Sequence, residues 1–301
     1  MRDRPEHPLH ATLAIAERAL RAADLATRDL WRVDPTWSSG EAAERMGELD
    51  FDVAPVDEVP LRRFVLRGQL ERLASDVPAE AAALPIDATH MVTGDLGLAD
   101  TLDLLSEREF VFVIEGDEVA GLITLSDLQR IPVGMAVLAI ILATELGLNE
   151  LIARHYGERG FLAHLSEDRR RQVRERHEEL RKRNLETSPI DALMLDERLG
   201  LVGKVQRYRR DLGFASRDRY ESWAEELKRL RNALAHGNTL LDHQPDARLA
   251  LELVRRVRSF AEAVWNLVER EAAGDASHAE VRGGPVRMVR SGREPRGTRP
   301  R

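Results

Sequence analysis

The stretch "LKRLRNALAHGNTL", residues 227–240, sets Arg231, Asn232 and His236 close together and follows them with Gly237. A histidine exchanges protons near neutral pH, and an arginine stabilises a developing anion. An amide beside them can orient the imidazole or the anion. A plainer reading uses the same residues. A histidine in the last helical turn is favoured by the helix dipole, and a glycine just after it can end the helix.

Helical angles separate the faces. Trp223, Leu227, Leu230 and Leu234 are spaced by 4, 3 and 4 and form one apolar stripe. At ~100° per residue, His236 lies about 200° from Leu234, and Asn232 about 160° away on the other side. Both point away from the stripe, at the neighbour spacing of i and i+4. Arg231 falls between the two faces and is long enough to bend toward the histidine.

The elements around this helix are also helical. After Pro132 the strand signals stop, and helices are expected at about 134–156, 166–186, 189–210, 216–236 and 245–272. Residues 273–301 are rich in Gly, Pro, Ser and Arg, carry a net charge of +4, and are expected to be a disordered basic tail. Arg169, Arg170, Arg171, Arg174 and Arg176 are interleaved with acids and read as a solvated helix face. Tyr208 or Trp223 could stack on a base, with the core as the plainer place for Trp223.

This half of the chain, 133–272, resembles the HEPN domain. The family signature is Arg, a polar residue, a short apolar run and His, and Arg231, Asn232 and His236 match it. The resemblance implies a metal-independent ribonuclease with Arg231, Asn232 and His236 as catalytic residues. It also implies pairing into a homodimer, so that two Arg–His sets share one cleft. The implied chemistry is attack of an RNA 2′-hydroxyl on the adjacent phosphate, leaving a cyclic phosphate and a 5′-hydroxyl.

The first half reads differently. Residues 11–30 have helical composition and no breaker. Two similar units follow, about 29–75 and 86–132. Each has a helix, an apolar strand opening at Phe51 or Phe110, a turn with Asp-Glu-Val, and a second strand running into a helix at Leu70 or Leu128. Neither copy buries its sheet face alone, so the two must pack together. At "GLITLSDL" the pattern resembles the CBS domain, whose tandem pairs bind adenosyl nucleotides. That resemblance implies ligand contacts from Gly121, Thr124 and Asp127: phosphate at the threonine and ribose hydroxyls at the carboxylate. Thr124-Leu-Ser-Asp127 is equally a capping box. In the first copy Arg63, Leu66 and Gln69 occupy those three positions, so at most one such site per chain is expected.

Composition bounds the rest. The 301 residues contain no cysteine, which removes disulfides, thiolate metal sites and cysteine nucleophiles. Residues 1–132 hold 13 basic and 26 acidic side chains, whereas 133–301 hold 32 and 26. Only the second half therefore suits an anion such as RNA. The first residues carry charges but no apolar run, unlike a secretory signal, so a cytoplasmic location is expected. The apolar run from Ile131 ends at Ala143, short of the ~20 residues of a membrane span, and suits a core helix or a subunit interface.

The fold class expected is α+β: an N-terminal tandem CBS (α/β) module over 1–132, then an all-α HEPN-like helical bundle over 133–272. The expected function is a ribonuclease regulated by an adenosyl nucleotide, with no metal and no catalytic cofactor. The alternative is a non-catalytic helical dimer that binds RNA or protein, with the CBS pair as sensor or scaffold. A toxin silenced by a separate antitoxin is a third reading.

Overall fold

The computed structural model describes residues 20–183 and 187–282. The architecture is mixed α+β in the first half and helical in the second. The expected basic tail lies mostly outside the described residues, though the last helix continues past the expected end, to Arg282.

The repeat is real in three dimensions. In the first unit, helix α2 (Ser39–Glu48) precedes strands β1 (Val53–Pro55) and β2 (Arg63–Leu66) and the single turn α3 (Arg67–Leu70). In the second, β4 (Met91–Thr93) and α4 (Leu98–Glu107) precede β5 (Phe110–Glu115) and β6 (Glu118–Thr124). A 3-10 turn, Leu125–Gln129, stands where α3 stands in the first unit. β1 pairs antiparallel with β2, as β5 does with β6. Val33 bridges Val56 in parallel, as β4 pairs in parallel with β5. Strand β3 (Leu84–Pro85) lies on the outer side of β2. The two sheets meet through Val53, Phe64, Phe112 and Leu122, with the Phe64 and Phe112 rings 5.6 Å apart. That contact buries the faces that neither unit covers alone.

The segment expected as an N-terminal helix differs over its described part. Only α1 (Ala22–Leu25) is helical, and the chain then runs extended. Its position explains this. Thr27 exchanges backbone hydrogen bonds with Leu122, and Ala22 and Leu25 enter the core beside Leu98 and Ile123. Tertiary strand pairing overrides a weak local helix preference. The segment thus belongs to the second unit.

Helix α5 (Ile131–Gly160) dominates the second half and breaks at Gly157, whose φ is 72°. It packs along α11 (Ala247–Arg282). By length and composition α5 with its following turn could cross a membrane, unlike the shorter span expected, yet 61% of its most apolar window is buried inside the protein. Helix α6 (Glu167–Lys182) buries only Val173, as a solvated basic helix should. The helix expected over 189–210 is three pieces: a 3-10 turn at Pro189–Ala192, α7 (Leu195–Lys204) and α8 (Gln206–Asp211). Leu193 and Met194 between them are extended, and Val205 breaks α7 from α8. Helix α9 (Arg217–Ala235) carries the Arg–His motif, and the short α10 (Leu240–His243) follows it.

One core runs through both halves. Ile123 and Leu128 of the second unit share a buried cluster with Val133 and Ile140 of α5 and Val257 and Val264 of α11. The expected boundary at residue 132 is therefore a change of architecture, not a gap between cores.

Gly121 illustrates the close packing. A Cβ there would lie 2.7 Å from the Ala26 Cβ and 3.0 Å from the Thr27 carbonyl oxygen. Gly121→Ala should push the 26–27 segment off β6 and cost about 1–3 kcal/mol. A lowered urea midpoint with unchanged slope is the expected readout.

Candidate functional site

The end of α9 is built as the glycine-terminated helix that the sequence suggests. His236 is the C-cap, and Gly237 follows with φ 83°. The Asn238 N–H donates to the Ala233 carbonyl and the Gly237 N–H to the Leu234 carbonyl, both at 3.1 Å. This is a Schellman motif. The buried face is Tyr220, Trp223, Leu227, Leu230 and Leu234. Asn232 and His236 are both exposed. Neither side chain hydrogen-bonds to a described residue, so both are available to a ligand.

Arg231 is placed elsewhere. Its Nε lies 3.5 Å from an oxygen of Glu145, a nearly buried carboxylate on α5. The other Glu145 oxygen accepts from Arg198 at 2.6 Å. Arg198 is also nearly buried and donates to the Asn149 side chain at 2.7 Å. Burial pushes the Arg198 guanidinium below its ordinary range, and Glu145 opposes this. Arg231 is about one-third exposed, against a tenth or less for the other two side chains of this triad. Its guanidinium sits at the rim, between the core carboxylate and solvent.

His243, seven residues after His236, is a second histidine that the sequence reading did not single out. It stands at the end of α10, half-buried against α9. Burial lowers its pKa, Arg229 lowers it further, and Glu226 opposes them. By helical angle Arg229 lies on the side of α9 that carries His236. The only signal in the sequence was closeness along the chain. Tyr208 and Trp223 are both buried, so neither offers a ring for stacking on a base. Among the described residues, no group of three His, Asp or Glu side chains is placed to hold a metal ion.

The second candidate site is a cleft of about 690 Å³ between the two units. Thr124 and Asp127 line it, together with Trp31, Phe51, Phe110 and Arg72. Gly121 is buried beneath Ala26 and Thr27 and does not reach the cleft wall. Asp127 accepts from the Thr124 N–H at 2.7 Å and from its hydroxyl at 3.2 Å. Its other oxygen accepts from Arg130 Nε at 2.7 Å, and a second Arg130 nitrogen donates to the Thr27 hydroxyl at 2.6 Å. The capping reading therefore holds, and the same residues face a cavity large enough for a nucleotide.

No family model matches the chain, and no curated protein does either. Parts of it are similar to solved structures. One is an uncharacterised conserved protein from Pyrococcus horikoshii, 22% identical, covering 37% of this chain and 90% of that one at a TM-score of 0.33. Another is a putative acetoin utilization protein, AcuB, from Vibrio cholerae, 21% identical over 36% of this chain and 86% of that one, at a TM-score of 0.32. A third is the CBS domain of a bacterial CNNM/CorC family Mg2+ transporter in complex with ATP, 15% identical over 43% and 94%, at 0.34.

The Glu145 triad makes its own prediction. Removing one member of a buried ion pair leaves an uncompensated charge, which costs about 3–5 kcal/mol. Glu145→Ala should destabilise the chain by that order because Arg198 stays buried. Chemical denaturation of the variant beside wild type checks it.

Proposed function

We propose that the chain is a HEPN-type, metal-independent ribonuclease whose activity is set by an adenosyl nucleotide bound in a tandem CBS pair. The observation that carries this is the helix end. Asn232 and His236 are both exposed at the capped end of α9, at the i and i+4 spacing, and the Arg231 guanidinium is turned toward Glu145 at the rim of the core, about one-third exposed. In the proposed reaction the RNA 2′-hydroxyl attacks the neighbouring phosphorus, and a histidine takes its proton. Arg231 stabilises the anionic phosphorane. The 5′-oxygen leaves with a proton from a second acid, and the cyclic phosphate remains. The nucleophile belongs to the substrate, so the reaction as proposed needs no metal to activate water.

The second proton-transfer group is the reason to propose a homodimer. Ile131, Met135, Leu142 and Leu146 are exposed along one face of α5, with half-buried Leu138 among them. A contiguous apolar face of this kind marks an interaction surface. Between Arg130 and Arg154 there is no Lys or Arg, so the helix lacks the basic polar face of one lying on a lipid surface. A second copy of the same helix is self-complementary to it across a twofold axis.

One observation favours the alternative, a non-catalytic helical dimer that binds RNA or protein. The ion pair of Arg231 with Glu145 gives that arginine a structural task without any substrate. The proposed enzyme must reach phosphate with the nitrogens that Glu145 leaves free.

Two experiments follow. His236→Ala should lose at least ~100-fold in cleavage of single-stranded RNA, the scale of general acid–base catalysis, with chelator present in both assays. Equal activity in clean preparations sinks the enzyme reading. Leu142→Arg should convert a dimer to a folded monomer in analytical ultracentrifugation. A variant that stays dimeric moves the interface elsewhere, and flotation of wild type with lipid vesicles would assign the stripe to a membrane.

A further inference from the structure

The two units diverge at one station of the repeat, and the divergence changes the charge of the cleft. Leu70 and Leu128 are buried at equivalent places, just after β2 and β6. Counting from them, Gln69 stands where Asp127 stands, and Arg72 stands where Arg130 stands. In the second unit that arginine is consumed. Arg130 closes on Asp127 at 2.7 Å and on Thr27 at 2.6 Å. In the first unit the carboxylate is a neutral amide, so Arg72 has no such partner. Arg72 is exposed, lines the cleft, and its side chain makes no ion pair or hydrogen bond with a described residue.

The other charges around the cleft leave Arg72 as its spare cation. Asp52 is held by Arg67 at 2.6 Å, and Glu109 by Arg248. Asp50 lies 4.0 Å from Arg67, and Asp29 has no cation within ion-pair distance among the described residues. A ligand entering here meets one uncommitted guanidinium and two weakly compensated carboxylates. One phosphate can be paired by that guanidinium in a bidentate contact, which offsets one of its up to about two negative charges. A triphosphate cannot, because its further charges would face Asp29 and Asp50 without a cation. The apolar wall of Trp31, Phe51 and Phe110 suits a flat heteroaromatic base.

We infer that Arg72 is the phosphate-binding and specificity-determining residue of the cleft, and that its ligand is a purine nucleoside monophosphate, not a triphosphate. This rests on the proposed reading of the cleft as an adenosyl site and narrows its ligand class. It also moves the phosphate contact from Thr124 in the second unit to the first unit, whose motif residues are absent.

Isothermal titration of the full chain with adenosine, AMP and ATP, without divalent metal, tests it. AMP should bind at least about tenfold more tightly than ATP, and Arg72→Gln should weaken AMP by about tenfold, to the level of adenosine. Adenosine binding should be unchanged in that exposed variant, which shows that it is folded. ATP binding as tightly as AMP, or unchanged AMP affinity in Arg72→Gln, overturns the inference and leaves the adenosyl reading intact. Failure of wild type to bind any of the three overturns both.

Discussion

A carboxylate cannot be buried in an apolar helix without a cation, and this constraint fixes the second half of the protein. Glu145 lies on α5 among Ile141, Leu148 and Leu151, all fully buried. Arg198 answers it from α7 and Arg231 from α9. The three helices are thereby set in register as well as packed. Hydrophobic contact alone would tolerate sliding along so uniform a helix, whereas one charge at one position does not. The arginine of the Arg–His motif is placed by this triad, so the geometry of the candidate site is inherited from the core.

The joint between the halves depends on charge as well. The acidic excess of the first 132 residues and the basic excess beyond them suggested two modules with different partners. Part of that asymmetry is spent inside the molecule. Asp103 pairs with Arg255 at 3.0 Å and with Arg258 at 3.5 Å, and Glu109 pairs with Arg248, all between α4 or its end and α11. These are exposed pairs worth little each, and the shared core contributes the larger part of the attachment. Leu128 is the pivot. It is buried in the shared core, while its neighbours Leu125, Ser126 and Asp127 line the cleft. The same turn packs against α10 and α11, and α10 begins four residues after His236. Anything that moves this turn moves elements on both sides of it.

Periodicity made much of this legible, and tertiary pairing hid the rest. The repeat could be read because Leu70 and Leu128 are fixed by burial in both units, while Phe51 and Phe110 both stand on the wall of the cleft. The exposed face of α9 could be read because its four-residue stripe sets the angle of everything else on the helix. The 20–30 segment could not, because its extended path depends on Gly121, about a hundred residues away. Nor could the break at Leu193–Met194, where Glu197 accepts from the Met194 N–H and caps a new helix. Glu145 was visible as the first charge after the apolar run, but a single sequence does not say which of 45 basic residues will meet it.

The candidate cleft shows why a duplicated unit need not keep duplicate sites. The second unit keeps the carboxylate and closes it with its own arginine, so the pair is nearly neutral before any ligand arrives. The first has lost the carboxylate, and the arginine left behind is worth more to an anion than a paired one. A charged hydrogen bond to a ligand competes with no described residue at Arg72, whereas at Arg130 it would have to break the bond to Asp127 first. The amide at Gln69 and the guanidinium at Arg72 without an ion pair among the described residues are thus one difference between the units seen from two sides. The units match at Leu70 and Leu128, both buried, and differ at Gln69 and Asp127, of which only Asp127 carries a charge for the following arginine to hold.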